Sequence, residues 1–350
     1  MKTFLNKALI LSLVLLWLTS LPVFAAGPNR AGTNAASELL IPVGAKFIAM
    51  GGASVAGVTG LDALYWNPAG LDKMTYQAEA MFSVMTYIAD INVNYAGVGI
   101  KFGKLGSVGL SFKTLAIGDI PITTEDAPDG TGELFSPQFI TLGLSYSRAL
   151  TDRVAVGATA KLINETIDRV SATGFAFDIG VQYTNLGDIP GLNIGLVIKN
   201  LGPGMRFDGN GLLRVGNPLD ASRSASPYKI VAGTDELPST MELGIGYNLQ
   251  LGETSKFNFQ TLVVNNNYLD DEAKVGVEYA FNDMFFLRGG YNFSVNNTQD
   301  ARGDAAYIFG PAFGAGFHYD LAGISLDFDY AFRQVDYFDA NNVFSLKVGF

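Results

Sequence analysis

The sequence ends with NVFSLKVGF (342–350), a stretch in which apolar residues alternate with small or polar ones. A period of two residues with one apolar face is typical of a β-strand. Chain termini are usually frayed and polar, so a chain that ends inside a strand pattern needs that strand to be held by neighbours. The two faces are Phe344, Leu346, Val348 and Phe350 against Ser345, Lys347 and Gly349.

The first residues predict a secretory signal peptide. Two lysines precede the apolar run ALILSLVLLWL (8–18), and LPVFAAG (21–27) offers small residues for cleavage after Ala25. The alternative, a membrane anchor, is less favoured because the apolar run is short for a bilayer span. We therefore expect a signal peptide over residues 1–25.

The composition excludes several classes of protein. There is no cysteine, so neither disulfides nor thiol chemistry are expected. A net charge of -10 argues against nucleic-acid binding. Charged residues make up 16% of the chain, below the roughly 25% of a soluble domain. Because no long apolar run follows the signal peptide, the apolar residues must be spread along alternating strands.

Fourteen segments show this alternation, each near the length of a tilted membrane-spanning strand. The pattern predicts an all-β fold, an outer-membrane antiparallel β-barrel of about 14 strands. The predicted strands are 76–88, 94–102, 107–116, 138–149, 154–163, 172–184, 192–200, 241–250, 256–264, 272–281, 285–293, 312–320, 324–332 and 343–350.

The lengths of the connections between these strands alternate along the chain. They are short after even strands and mostly longer after odd ones, at 117–137, 164–171, 201–240, 294–311 and 333–342, with 89–93 and 265–271 as brief exceptions. Outer-membrane barrels have short periplasmic turns and longer outer loops. This alternation of lengths predicts a protein of the cell outer membrane, in contact with its lipid, with both termini in the periplasm. A soluble all-β array, the alternative, gives no reason for this alternation of lengths.

Aromatic residues at the strand ends support the same interpretation, because barrels carry aromatic girdles at both membrane interfaces. We expect Phe350 to belong to the girdle and to the closing strand, which pairs with the first strand and leaves no open edge in lipid. The proposed periplasmic girdle is Tyr76, Phe102, Tyr146, Tyr183, Tyr247, Phe281, Phe285, Tyr319 and Phe350.

The inward faces carry charges of both signs, which we expect to pair, and many glycines, which leave room for an insert. We predict that residues 26–75 form a small N-terminal plug inside a barrel of residues 76–350.

The plug contains AMGGASVAGVTGLDALYWNPAGL (49–71), where LDALYW predicts one helical turn capped by Asp62. Pro68 ends that turn at Asn67. The plug motif is Trp66, Asn67, Pro68, Ala69 and Gly70, with Trp66 as its main apolar contact; a plain linker is the weaker alternative.

The block GAKFIAMGGASVAGVTGLDALYWNPAGL (44–71) resembles the start of PorV/PorQ-type outer-membrane proteins, relatives of the FadL transporters of hydrophobic compounds. The resemblance implies a FadL-like barrel of fourteen strands. In the best-known members it also implies a role in type IX secretion, where the barrel receives secreted cargo and passes it to a surface attachment complex. The resemblance to this family continues through VAVGATAKLINETI (154–167), GFAFDIGVQY (174–183), IGLVIKNLGPGMRF (194–207), ELPSTMELGIGY (236–247) and FHYDLAGISLDFDYAF (317–332).

No catalytic set is found, so we expect neither an enzyme nor a cofactor. His318, the only histidine, has no serine or cysteine partner motif and is interpreted as a polar residue of the lumen. A cation site with Asp320, Asp327 and Asp329 is an alternative that we do not favour, because neighbouring lysines account for these acids as well.

Two functions remain. The first is binding or hand-over of secreted cargo proteins, or contact with other secretion-system proteins, in a type IX-like system. The second is FadL-like passive transport of a hydrophobic small molecule. The sequence favours the first, because the predicted lumen is rich in charges and poor in apolar residues.

Overall fold

The computed structural model describes residues 32–216, 225–295, 307–321 and 323–350. The predicted signal peptide, residues 1–25, lies outside the described residues. No helix in the described part of the chain combines the length and the apolar character that a membrane span requires.

Fourteen long strands form a closed antiparallel barrel in the described residues, and each corresponds to a predicted strand, so the predicted fold class is confirmed. Their ends differ from the prediction by a few residues, as expected for frayed strand ends. The strands are β1 (Ala78–Thr86), β2 (Asn92–Lys101), β3 (Ser107–Ala116), β4 (Gln138–Ala149), β5 (Val154–Ile167), β6 (Val170–Tyr183), β7 (Leu192–Leu201), β8 (Thr240–Leu251), β9 (Ser255–Asn266), β10 (Glu272–Phe281), β11 (Phe285–Ser294), β12 (Phe309–Leu321), β13 (Ile324–Val335) and β14 (Asn341–Gly349).

The barrel closes where β1 pairs with β14, from Glu79 opposite Gly349 to Thr86 opposite Asn342. Phe350 extends this pairing beyond β14: its N–H donates to the Ala78 carbonyl at 2.9 Å, and its carbonyl accepts from the Ala78 N–H at 3.0 Å. Closure pairs the backbone groups of both terminal strands, which is the condition for a β-structure to sit in lipid.

Side chains alternate between two environments along each strand. On β3, Leu110 points outward and is 54% exposed, whereas Lys113 points inward and is 5% exposed. On β11, Leu287 is exposed and Arg288 is buried. The outer surface is therefore largely apolar, whereas the inner surface carries buried charged and polar side chains together with apolar ones that face the plug.

One predicted loop is wrong. Residues 164–171 do not form a long connection, because Ile167 pairs with Val170 across a two-residue turn. Asp168 has φ 50° in this turn. The polar residues of 164–166 interrupt the apolar alternation while they continue strand β5. A strand that rises above the apolar band of the wall no longer needs an apolar outer face.

Among the described residues, two of the longer connections contain strands of their own. Residues 117–137 hold a pair, Ile120–Pro121 with Leu134–Phe135. Between β7 and β8, Leu213–Gly216 pairs with Ser226–Lys229, and the strand Asp208–Gly209 pairs with β6 as a short fifteenth member of the sheet. Both connections lie at the same end of the barrel.

Residues 32–77 precede the barrel, and most of them up to Met74 are buried against its inner wall. Two short helices, α1 (Ala45–Ala49) and α2 (Ala63–Trp66), lie in this segment with 3-10 turns Ser37–Leu40, Gly60–Asp62 and Pro68–Lys73. In the described part of the connections lie four more 3-10 turns, at Ile88–Asp90, Gly103–Leu105, Leu186–Asp188 and Asn210–Leu212. The largest buried apolar cluster joins the plug to the wall, and includes Phe47, Leu64, Trp66, Tyr95 and Val343.

Candidate functional site

The predicted plug motif lies against strands β5 and β6. Asn67 leaves helical geometry, with φ -162° and ψ 108°, because Pro68 follows it. Its side-chain oxygen accepts from the Ala69 N–H at 3.1 Å, and its amide nitrogen donates to the Val55 and Val181 carbonyls at 3.0 and 3.3 Å. Asn67 therefore ties two parts of the plug to one wall strand.

Glycines in the wall make this close approach feasible. A Cβ on Gly180 would lie 1.9 Å from the Asn67 side-chain oxygen, and one on Gly157 would lie 2.4 Å from the Pro68 carbonyl carbon. Within the plug, a Cβ on Gly70 would lie 2.2 Å from the Val58 carbonyl oxygen. At these three positions only glycine leaves enough space for the opposing atoms.

Trp66 is 3% exposed and lies at the centre of the plug. Its ring packs edge-on against Tyr65 at 5.0 Å and tilts against Phe47 at 6.0 Å, measured between ring centroids. Its indole N–H donates to the Val43 carbonyl at 3.2 Å. Trp66 thus joins the start of the plug to the motif.

The predicted capping role of Asp62 is wrong. Its side chain makes no capping hydrogen bond to α2. Instead it accepts from the Lys347 ammonium at 2.5 Å, so the plug pairs with the closing strand β14. A buried carboxylate is stabilised more by a neighbouring cation than by a backbone N–H of a one-turn helix.

Most of the inward charges pair with one another, as the sequence predicts, whereas Lys101 and Lys113 donate to backbone carbonyls of the plug. Several of these pairs are almost fully buried, which favours mutual neutralisation. The pairs are Lys161–Asp178 at 2.6 Å, Lys199–Glu242 at 2.9 Å, Lys274–Glu272 at 2.7 Å, and Arg288 with both Glu278 and Asp329 at 2.6 Å.

His318 contacts two carboxylates, Asp327 at 2.6 Å and Asp320 at 3.2 Å, while Asp329 turns to Arg288. Within the described ranges, no group of three or more His, Cys, Asp or Glu side chains is arranged to hold a metal ion. The four residues of the alternative cation site therefore do not converge.

A cavity of about 750 Å³ lies between the plug and the end of the barrel that carries the long connections. Its lining comes from the plug, from the ends of many strands and from the loops. Apolar side chains form the largest group in the lining: Leu39, Ile41, Ile48 and Trp66 from the plug, and Ile91, Leu115, Ile117, Phe139, Met205, Phe207, Val264, Leu269 and Phe309 from the wall and loops, among others. Eight charged side chains line it as well: Glu38, Glu165, Lys199, Asp235, Glu242, Glu272, Lys274 and Arg333.

Five of the charged side chains that line the cavity are engaged. Lys199 and Lys274 pair with Glu242 and Glu272, and the Arg333 guanidinium stacks over the Phe309 ring at 4.0 Å. Burial, with the nearby charge of Glu242, raises the pKa of Tyr65 well above its usual range, so its hydroxyl stays neutral. A pocket of this size, with a mainly apolar exposed surface and most of its charged groups paired, suits a small hydrophobic ligand.

The fold and its filled lumen define a class: outer-membrane-type barrels of fourteen strands, plugged by their own N-terminal segment. The toluene transporter TbuX of Ralstonia pickettii is similar in structure, with a TM-score of 0.55 and 14% identity, over 88% of this chain and 98% of that one. The toluene transporter TodX of Pseudomonas putida has a TM-score of 0.55 and 15% identity, over 88% and 97%. The monoaromatic hydrocarbon channel CymD has a TM-score of 0.53 and 14% identity, over 88% and 97%.

These likenesses show that the chain has the same barrel fold as these channels. No protein-family model matches the sequence, and no curated protein matches it either. The finer resemblance to PorV/PorQ proteins stays a hypothesis.

Proposed function

We propose that this protein is an outer-membrane channel for the passive uptake of hydrophobic small molecules. The observation that carries the proposal is the mainly apolar cavity above the plug. Structural neighbours that transport toluene or monoaromatic hydrocarbons support it. The proposed activity is binding and passage, without catalysis or a cofactor.

This proposal reverses the preference drawn from the sequence. The charged lumen argued for cargo hand-over because it left no apolar path. In the structure most of these charges neutralise one another or hold the plug, as Lys199 pairs with Glu242 and Lys347 with Asp62. The cavity that remains has a mainly apolar exposed surface, with apolar side chains from the plug and loops, which strand periodicity does not cover.

The same proposal places the chain in the outer membrane. Its apolar outer face would contact lipid, with the long connections outside and both termini in the periplasm. The chain would be divided into a signal peptide (1–25), a plug (26–75) and a barrel (76–350). Cysteines introduced at exposed Ser136 and at exposed Asp152 test this orientation, because an impermeant thiol reagent on intact cells should label only the first.

Trp66 allows a direct binding test, since it lines the cavity and the sequence contains one other tryptophan, Trp17. In a Trp17→Phe background, toluene titrated into the purified barrel in detergent should change Trp66 fluorescence in a saturable way. Ile117→Asp, which puts a charge on the cavity wall, should weaken binding by roughly tenfold or more.

Ile120→Asp is the matched control. Ile120 lies in the same connection but is exposed and does not line the cavity. Its variant should bind toluene as the parent does. Non-saturable quenching, or an equal loss of binding in both variants, would contradict the proposal.

Cargo hand-over is the second candidate, and one observation favours it. Val215 and Val231 lie in the connection between β7 and β8 and are 74% and 76% exposed. Apolar side chains this exposed on a loop can contact a protein partner. Affinity purification from native membranes should then recover a stoichiometric partner that a Val215→Ser/Val231→Ser double variant loses.

A further inference from the structure

The plug contains a buried carboxyl group whose oxygens have no hydrogen-bond donor among the described residues. Glu38, in the 3-10 turn Ser37–Leu40, is 3% exposed, and neither of its side-chain oxygens is hydrogen-bonded. An ionised carboxylate in such a place would bear a large desolvation cost. The group therefore needs either a counter-ion or a proton.

The nearest cation does not serve as that counter-ion. The Lys113 ammonium donates to the backbone carbonyls of Glu38 and Ile41, at 2.6 Å each, rather than to the Glu38 carboxyl group. The side chain that faces Glu38 is another acid, Glu165 of β5, which is 5% exposed. Its oxygen accepts from the Ala36 N–H at 3.2 Å, so Glu165 already holds the start of the same turn.

The remaining charges around the turn are balanced. Lys161 and Lys199 pair with Asp178 and Glu242. From the connection before β8, Glu236 presents its backbone carbonyl to the Ala35 N–H, and its carboxylate contacts Tyr268. This leaves Lys113 with the two acids of the pair. One negative charge on the pair makes the group neutral, and two negative charges do not.

We propose that Glu38 and Glu165 share one proton, and that this acid pair is a latch that holds the first turn of the plug against β5. Glu38 donates the shared proton and Glu165 accepts it. Loss of the proton leaves two carboxylates facing one another in a buried place, which drives the turn away from the wall. Both residues line the cavity, so the latch controls one of its walls.

The pH window follows from the environment of Glu38. Burial, together with the charge of Glu165, raises the pKa of Glu38 from 4.5 to about 8. A raised carboxyl pKa means that the closed form binds the proton more tightly than the open form. The latch is therefore fully closed below about pH 4.5, weakens as the pH rises, and has lost its proton above about pH 8.

Trp66 reports the state of the latch without any ligand, so the test is independent of the proposed transport function. The Tyr65 hydroxyl donates to the Leu39 carbonyl at 3.2 Å, and the Tyr65 ring packs on Trp66 at 5.0 Å. Release of the turn breaks the first contact and opens the side of Trp66 to water. Acrylamide, a neutral quencher, should then reach Trp66 more readily.

The experiment is a titration of acrylamide quenching from pH 5 to pH 10, on the folded barrel in a Trp17→Phe background. We expect quenching to rise about twofold or more, with a midpoint near pH 8. Glu38→Gln carries its own donor toward Glu165, so it should keep quenching low at every pH. Glu133→Gln, at an exposed loop position, is the matched control and should titrate as the parent does.

Heat-modifiable migration on a gel establishes that each variant is folded. If Glu38→Gln fails to fold, Glu165→Gln serves instead, because its amide can donate to Glu38 and should equally remove the transition. A parent without a transition overturns the proposal, and so does a transition that persists in both glutamine variants. Sensitivity of the quenching to calcium or to a chelator at fixed pH also overturns it, because a cation would then occupy the pair.

Discussion

Two parts of the plug meet the barrel wall in different ways. Residues 62–74, the anchored part, are held by side-chain hydrogen bonds and one ion pair from several wall strands. Ser147 donates to the Ala69 carbonyl at 3.0 Å, and Asp72 accepts from Ser107 at 3.0 Å and from the Ala149 N–H at 2.8 Å. These bonds are directional, which favours one arrangement of this part.

Residues 45–53, the helix part, are held mainly by shape. A Cβ on Gly276 or Gly290 would lie 2.4 or 2.0 Å from backbone atoms of Met50, and one on Gly314 would lie 2.5 Å from the Ala49 Cβ. Its polar contacts with the wall, in the described residues, are Ala45 N–H to Ser345 at 2.8 Å and Lys46 to Glu278 at 3.9 Å. The helix part therefore depends on apolar burial, mainly of Phe47, Ile48 and Met50, rather than on directional bonds. The difference marks residues 62–74 as the part of the plug that directional bonds fix.

The largest effect is expected from Asp62→Ala in the anchored part. It leaves the Lys347 ammonium without its partner inside the lumen, which should cost roughly 3–5 kcal/mol in the free energy of unfolding. Denaturant unfolding in detergent measures it. The double variant Asp62→Ala/Lys347→Met removes both charges and should recover much of the loss. No recovery would show that the ion pair is not the cause.

A smaller effect is expected from Asn67→Ala. It removes the acceptor for the Ala69 N–H and two donated hydrogen bonds, and should cost about 1–3 kcal/mol. Acrylamide quenching of Trp66 should rise as the motif loosens. Asn92→Ala, at an exposed strand end, is the control and should change neither quantity. If Asn67→Ala changed neither the free energy of unfolding nor the quenching, the glycine contacts alone would hold the motif.

The smallest effect is expected from Lys46→Met in the helix part. Its ammonium is 3.9 Å from Glu278 and its side chain is 27% exposed, so the pair should contribute about 0–1 kcal/mol. Glu278 keeps Arg288 as its closer partner, at 2.6 Å. A loss as large as that of Asp62→Ala would remove the distinction between the two parts of the plug.

The sequence predicts the wall well and the cavity poorly, for a physical reason. Strands such as Ile324–Val335 have one face suited to lipid, and this requires apolar residues at every second position. The pattern fails at 164–166, where β5 rises above the apolar band. The pairing of Asp62 with Lys347 and the lining of the cavity join residues far apart in the chain, and no local period records them. The wall glycines at 157 and 180 were a usable signal, since each lies opposite the plug motif.

Uptake is the most direct test of the central claim, that hydrophobic small molecules pass through the plugged lumen. Radiolabelled toluene is supplied to cells of an outer-membrane-bearing bacterium that express the parent, Ile117→Asp or Ile120→Asp at equal membrane levels. The account predicts faster uptake than in cells with an empty vector for the parent and for Ile120→Asp, and uptake near the empty-vector rate for Ile117→Asp. Uptake by the parent at the empty-vector rate, or equal uptake by all three proteins, would contradict it.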